Sequence, residues 1–435
     1  MNRRDFLRIL AASVTVLGME RGDTPAAPED PDALTDSLSE RIERLRKGEC
    51  RLTFLRPDGR PLANATVHLR HLKHEFLFGC AIPNPSGLLH RLPDEQARAT
   101  LESRFLQLFN YATTENAAKW VCTEPEERRY TFGDLDAIVA WCEAHNVRLK
   151  GHCLVWGTRG PQGIPDWVRP YEGRALRDLL RRRVESLVSR YAGRIPVWDV
   201  VNEPLHALWL HDRLGPDYVA DALTWAREAD PSAQLLVNEY EGLVGKAAEF
   251  ADLALRLRES GAPLDAIGEQ AHDPPLWYSG RALRDALDTL ATAGLPIHLT
   301  EFTFPSDLRP IVGGPRDSRW TEEAQGLFYE HCYRAFFAHP AVEAITMWAL
   351  WDGSTWKPAG GILRPDLSPK PAFEALDRLI NHEWRTKETL RTDAAGRCSL
   401  RAFYGHYEVR LNGGPQSCPI SLLRHGPRDL TLTLA

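Results

Sequence analysis

The chain reads as an α/β protein: a (β/α)8 TIM barrel with a small β-sandwich-like accessory built from N- and C-terminal strands. Three observations predict this. From residue 75 onward, apolar strand-like runs alternate with amphipathic helical stretches, eight of each over about 310 residues. That is the count for a barrel in which every parallel strand is followed by a helix. The first of these strands ends Gly79-Cys80-Ala81-Ile82-Pro83, not in the glycine-rich phosphate turn that opens a doubly wound sheet. Both flanks, 49–73 and 385–435, carry the period-two alternation of half-buried strands.

Taken in order, the chain opens M-N-R-R-D-F-L-R, followed by an apolar run over 9–19. Paired arginines ahead of a short apolar segment predict a twin-arginine signal peptide, assigned to residues 1–26. The protein is therefore expected to be exported, to the periplasm or beyond the cell. The run is too short to span a bilayer, so no stable membrane span is expected in the mature protein. Residues 27–48 read as a linker and a short charged helix. In 49–73, R-L-T-F-L-R-P-D-G-R-P-L-A-N-A-T-V-H-L-R gives strand, Pro-Asp-Gly turn and strand.

The barrel is assigned to 74–384. Its strands are predicted at 76–82, 111–115, 148–156, 196–203, 234–240, 266–272, 297–302 and 344–352. Helices are predicted at 94–108, 132–145, 173–192, 217–229, 245–260, 281–293, 321–338 and from 372 to about 384. From 385 the pattern returns to strands and turns and closes on L-T-L-T-L. Neither flank can bury a core alone. Together they can form a sandwich with the barrel inserted between its halves. The phrases P-D-G-R-P-L-A-N-A-T-V and T-D-A-A-G-R…F-Y-G-H-Y-E-V resemble the two halves of a carboxypeptidase-regulatory-like β-sandwich.

Lys and Arg number 53 against 59 Asp and Glu, a net charge of −6, which argues against a nucleic-acid partner. The eight cysteines are scattered with no C-x-x-C pair, so neither a zinc site nor any other metal is expected. Cys398 and Cys418 share the last segment and are the pair to test first for a disulfide.

Catalysis on a barrel takes place at the C-terminal ends of the strands. Those ends supply Glu115, Asn116, His152, Trp156, Asn202, Glu203, Asn238, Glu239, Glu269, Gln270, His272, Glu301, Trp348, Trp351 and Asp352. Carboxylates dominate, with aromatics around them. No lysine-centred Schiff-base site and no metal-spaced histidines are present. This inventory suits glycosidic bond cleavage, which needs one acid and one base or nucleophile. Glu203 ends the fourth strand (P-V-W-D-V-V-N-E-P) and Glu301 the seventh, so they are expected to face each other across the mouth. A retaining enzyme needs such carboxyls about 5–5.5 Å apart, and Asn202 is placed to bond the sugar 2-hydroxyl. Glu239 and Glu269 read as structural; Asp352 stays open.

Seven motifs then follow in order. They are F-N-Y-A-T-T-E-N-A-A-K-W (109–120), K-G-H-C-L-V-W (150–156), W-D-V-V-N-E-P (198–204), V-N-E-Y (237–240), I-G-E-Q-A-H (267–272), L-T-E-F (299–302) and M-W-A-L-W-D-G-S-T-W (347–356). They closely resemble family 10 glycoside hydrolases, the barrel-fold endo-β-1,4-xylanases, over about residues 74–384. The resemblance implies hydrolysis of β-1,4-xylan, or a related plant polysaccharide, by double displacement without a cofactor. It implies Glu203 as acid/base and Glu301 as nucleophile. Asn202 and His272 would serve the sugar at the cleavage point, with His272 also touching the nucleophile. Glu115, Asn116, Lys119 and Gln270 would bind the glycone. His152, Trp156, Trp348 and Trp356 would wall the site, and Tyr240 would lie on the aglycone side.

Two departures stand out. Where the family usually reads W-H-S-Q this chain has Trp156-Gly157-Thr158-Arg159, followed by the insertion-like 159–168; where it reads E-L-D this chain has Glu301-Phe302-Thr303. His272 is thereby expected to lose a carboxylate partner, with activity kept and the pH profile or substrate preference changed. The alternatives are another retaining β-glycanase on the same barrel and a carbohydrate-binding protein without turnover. The presence of both carboxylates weighs against the second.

Overall fold

The alternation of buried and exposed side chains decides where both flanks go. A computed structural model describes residues 31–272, 276–313, 318–412 and 417–433. The segment assigned to a signal, 1–26, lies outside the described residues. Two strands precede the barrel, β1 (Lys47–Leu55) and β2 (Thr66–His74). The barrel strands are β3 (Leu77–Ile82), β4 (Tyr111–Thr114), β5 (Arg148–Trp156), β6 (Val197–Asn202), β7 (Gln234–Glu239), β8 (Ala266–Glu269), β9 (Ile297–Phe302) and β10 (Val342–Met347). After it come β11 (Lys387–Arg391), β12 (Arg397–Phe403), β13 (Gly405–Leu411), β14 (Ser417–Leu422) and β15 (Asp429–Thr433).

Strands β3 to β10 close into a parallel barrel in chain order, with β10 returning to β3. Their residues are buried on both faces, as parallel strands covered by helices must be. Near the strand starts, Tyr111, Val197, Leu236, Ala266 and Ala344 fill the interior. Helices start where polar caps allow. The side chains of Asp94, Ser279 and Thr321 accept the backbone N–H of Ala97, Ala282 and Ala324.

The flanks make two sheets. One runs β12-β1-β15 and the other β11-β2-β13-β14. Cys50, Leu52 and Phe54 of β1 share a core with Val67 and Leu69 of β2, and with Leu400, Tyr407, Val409, Ile420 and Leu422 of the C-terminal strands. The sandwich is thus composed of the segments on both sides of the barrel. The buried Arg46 fixes it to the barrel floor, donating to the carbonyls of Phe337 (2.7 Å), His339 (2.7 Å) and Val342 (2.8 Å).

The structure differs from the sequence reading at several edges. The first helix spans Pro31–Arg46, beginning inside the expected linker; proline is tolerated in a first helical turn. β8 stops at Glu269, because Ala271 takes a left-handed φ of +53° and turns the chain off the sheet. β10 stops at Met347, leaving Trp348, Trp351 and Asp352 on the following loop, where the buried Lys370 pairs with Asp352 at 2.7 Å. β14 was hidden by Pro419, which breaks the alternation and sits where an edge strand admits it. Cys398 and Cys418 fall on different sheets, and all eight cysteines are free.

Candidate active site

The site grows from the ends of β6 and β9. β6 is buried along its whole length, and the chain then reverses at Glu203, whose φ of +56° is unusual for a residue with a side chain. The Glu203 N–H is anchored on the Asn238 carbonyl at 2.7 Å, and Pro204 ends the strand pairing. The Glu203 carboxylate then receives Trp156 Nε1 (2.8 Å), Gln270 Nε2 (3.0 Å) and Asn202 Nδ2 (3.1 Å). Across the mouth, the buried Glu301 receives Asn238 Nδ2 on Oε1 and His272 Nε2 on Oε2, both at 2.8 Å. Asn238 Nδ2 also reaches Asn202 Oδ1 at 2.8 Å, and Thr300 Oγ1 fixes the other end of the Asn238 amide at 2.6 Å. One web of amides therefore holds both carboxylates.

Their proton affinities are driven apart. Burial pushes the Glu203 carboxyl up; the Gln270 bond opposes this and the negative Glu301 adds to it. Burial also acts to raise Glu301, but His152, the His272 bond and Lys150 outweigh it and hold that carboxyl below its ordinary value. Glu203 is thus the readier of the two to hold a proton and Glu301 the readier to ionise, the direction of difference that acid-plus-nucleophile chemistry needs.

Beneath them sits a charged layer. Lys150 Nζ lies 2.8 Å and His152 Nδ1 2.9 Å from Asp199 Oδ2, with Lys150 and Asp199 fully buried. His152 Nδ1 is also 3.9 Å from Glu301 Oε1. Lys150, Asp199 and the bridging role of Asn238 were missed by sequence reasoning. The signal was present for the first two: a lysine two residues before His152, and an aspartate inside an otherwise apolar strand, cannot be buried unpaired.

On one side of the mouth, Lys119 is buried with Nζ 2.8 Å from Asn116 Oδ1 and 5.0 Å from the centre of the Trp156 ring. Glu115 stands beside this pair. The 159–168 segment also arrives here, with Gln162 Oε1 3.4 Å from Lys119 Nζ. On the other side, Tyr240 stacks at 3.7 Å on His206, whose Nδ1 is 2.6 Å from Glu239. His206 was not anticipated. Glu239 also accepts the N–H groups of Leu205 and Tyr240, so its role is structural. Trp348 meets the His152 ring at 5.0 Å, and the half-exposed Trp356 stands 5.1 Å from His272 at the opening.

Both departures have physical correlates. A side chain at Gly157 would put its Cβ 2.5 Å from the Ala207 carbonyl, because the loop after Glu203 passes that close. Thr303 is buried and donates to the Glu301 carbonyl at 3.0 Å; among the described residues Nδ1 of His272 has no hydrogen-bond partner. Among the described residues no three His, Cys, Asp or Glu side chains converge as a metal site, and no helix is long and apolar enough to cross a membrane.

A parallel barrel carrying two carboxylates of opposed proton affinity at its C-terminal mouth, walled by indoles and amides, defines the glycosidase class. The sequence comparison gives the particular family. Residues 69–378 match Glycosyl hydrolase family 10, and the chain belongs to it. The Anti-sigma-I factor RsgI6 of Acetivibrio thermocellus is 29% identical over 393 residues, 89% of this chain and 48% of that protein. Endo-1,4-beta-xylanase B of Thermotoga neapolitana is 29% identical over 314 residues, 68% of this chain and 87% of the relative. Among solved structures, native xylanase 10B from Thermotoga maritima superposes with a TM-score of 0.61 at 27% identity, covering 71% of this chain and 96% of that one. The chain spans about half or less of the length of the curated relatives it matches most widely.

Proposed function

We propose that this protein is an exported endo-β-1,4-xylanase that cleaves xylan with retention of configuration. Glu301 attacks the anomeric carbon while Glu203 protonates the leaving oxygen; Glu203 then takes a proton from the water that releases the sugar. Asn202, held by Asn238, faces the 2-hydroxyl, and His272 steadies the nucleophile. Lys119, Asn116, Glu115 and Gln270 bind the glycone, Tyr240 the aglycone, and His152, Trp156, Trp348 and Trp356 form the walls.

The observation that carries this reading is the pair of carboxylates suspended from one amide web with their proton affinities pushed in opposite directions. Family membership and the likeness to xylanases supply the substrate class. Export rests on the twin arginines ahead of the apolar run.

Glu203→Gln is the direct test. Hydrolysis of xylan is expected to fall by roughly 10²–10⁴-fold, while an aryl xyloside with a good leaving group still forms the covalent intermediate. A variant that degrades xylan at the native rate removes Glu203 from the mechanism. Product analysis on xylan, β-glucan and mannan separates a xylanase from another β-glycanase on the same barrel.

A further inference from the structure

Backbone register fixes which side chains of the sandwich look outward. In the sheet β11-β2-β13-β14, Val67 and Leu69 of β2 and Tyr407 and Val409 of β13 turn into the core. The alternate positions therefore make up the opposite face. On it, Arg70 lies across from Lys387 on one side and Glu408 on the other. His68 lies across from Thr389 and Arg410, and Thr66 across from Arg391. His406 and Ser421 continue the face where β13 meets β14.

This face is cationic on a protein whose net charge is −6. Arg70, Lys387, Arg391 and Arg410 are exposed and carry permanent charge. The carboxylate of Glu408 takes Arg70 on one oxygen and Arg410 on the other, each at 3.1 Å. Among the described residues no acid is paired with Lys387 or Arg391. Glu388 stands across from the buried Leu69 and so belongs to the other face. Setting Lys387 directly opposite Arg70 costs stability, since like charges on neighbouring strands repel. A face kept for solubility needs no such cost, because mixed signs serve it as well.

The rest of the face narrows its partner. Leu72 apart, the outward side chains of these strands are charged, imidazole, hydroxyl or proline. The face thus lacks the apolar band that seats a protein in a lipid interface and the aromatic platform on which unpaired bases stack. Hydroxyls of Thr66, Thr389, Ser417 and Ser421 are interspersed with the cations. Cations to meet carboxylates and hydroxyls to meet hydroxyls suit an acidic polysaccharide.

We propose that the outer face of β11-β2-β13-β14 is a docking surface for a polysaccharide carrying free carboxylates. It belongs to the sandwich that Arg46 fixes to the barrel floor, at the end opposite Glu203 and Glu301. The choice of a glycan over another polyanion rests on the glycanase reading of the barrel. The polymer holds the enzyme in place without entering the active site, and salt weakens the attraction because the contacts are exposed.

The test is affinity electrophoresis of the whole protein through native gels containing polygalacturonate, or the same polymer with its carboxyls methyl-esterified. Polygalacturonate is expected to retard the protein at low ionic strength and less as salt is added; the ester is expected to leave it unretarded. Lys387→Gln/Arg391→Gln/Arg410→Gln is expected to raise the apparent Kd for polygalacturonate about tenfold, with xylohexaose cleavage unchanged. Arg391→Gln alone, on the edge strand β11, is expected to raise it about twofold and repeats the test should the triple variant not fold. A charge-matched control on exposed helix positions, Arg174→Gln/Arg181→Gln/Arg281→Gln, is expected to keep the parent affinity. The proposal falls if the sheet variants are retarded like the parent, if both triple variants lose affinity equally, or if the ester retards as strongly as the acid. Equal or tighter binding to a DNA duplex or to phosphatidylglycerol vesicles overturns the choice of a polysaccharide. Failure of the parent protein to cleave xylohexaose overturns the xylanase reading instead, and polygalacturonate binding still decides the sheet face.

Discussion

His272 enters the site with one ring nitrogen bonded to Glu301 and the other buried without a partner among the described residues. Thr303, adjacent across a parallel bridge, is turned toward the Glu301 carbonyl instead. Replacing it by aspartate offers Nδ1 an acceptor and favours a doubly protonated ring. Thr303→Asp is therefore expected to displace the kcat/KM–pH profile, moving to higher pH the limb on which that extra proton is lost. Superimposable profiles for the two proteins refute the role given to Nδ1. Glu203 and Glu301 were legible because each is a carboxylate closing an apolar strand, a placement that costs too much to be idle. That Lys150 and Asp199 had to be paired was legible, but which groups they and His206 answer was not, because each partner stands on another strand or loop, which no one-dimensional pattern records. The bulk excluded at Gly157 was equally invisible, since the obstacle is a carbonyl fifty residues away.

Strand existence was legible, and strand ends less so. The apolar runs fixed β5 and β9 to the residue, whereas β8 and β10 were drawn too long. Past β10 the sequence stays apolar through Trp351, and past β8 Gln270-Ala271-His272 carries no glycine or proline to mark the end, so only backbone geometry stops the ladder. At the end of β8, Glu269 does the holding: Oε2 accepts the Gly242 N–H at 3.0 Å and Oε1 the Ala271 N–H at 3.2 Å. Its burial pushes the carboxyl up to about 8, from an ordinary 4.5. Between those values the folded protein keeps a proton that the unfolded chain has released, so stability falls as pH rises, by roughly a few kcal/mol across the window. Glu269→Gln cannot release that proton. Its melting temperature is expected to vary less between pH 5 and 8 than that of the parent, even if its absolute value is lower. Parallel slopes for the two proteins contradict the assignment.

At the scale of the molecule, the barrel was readable from its eightfold alternation, and the accessory from the two alternating flanks. The pairing scheme was not readable: β1 joins β12 and β15 while β2 joins β11 and β13, which depends on which edges meet after the barrel has closed. Removing 417–435 deletes the buried Ile420 and Leu422, each worth about 1.5–3 kcal/mol of burial, and uncovers an edge of β13. The truncated protein is expected to melt several degrees lower and to be cut by protease within 47–74 before the barrel is attacked. An unchanged melting temperature and cleavage pattern rule out a stabilising role for β14 and β15.

A sandwich whose two halves lie before and after the barrel in the chain also sets a timetable for synthesis. On the ribosome, β1 and β2 emerge more than 300 residues before the strands that cover them. Until the strands after the barrel are translated they have no permanent neighbours, and a message broken anywhere in the barrel yields a product with naked strand edges. Such products are the natural prey of chaperones and proteases. The chain therefore carries its own check on the barrel: only a polypeptide read past it to β11–β15 can hide β1 and β2.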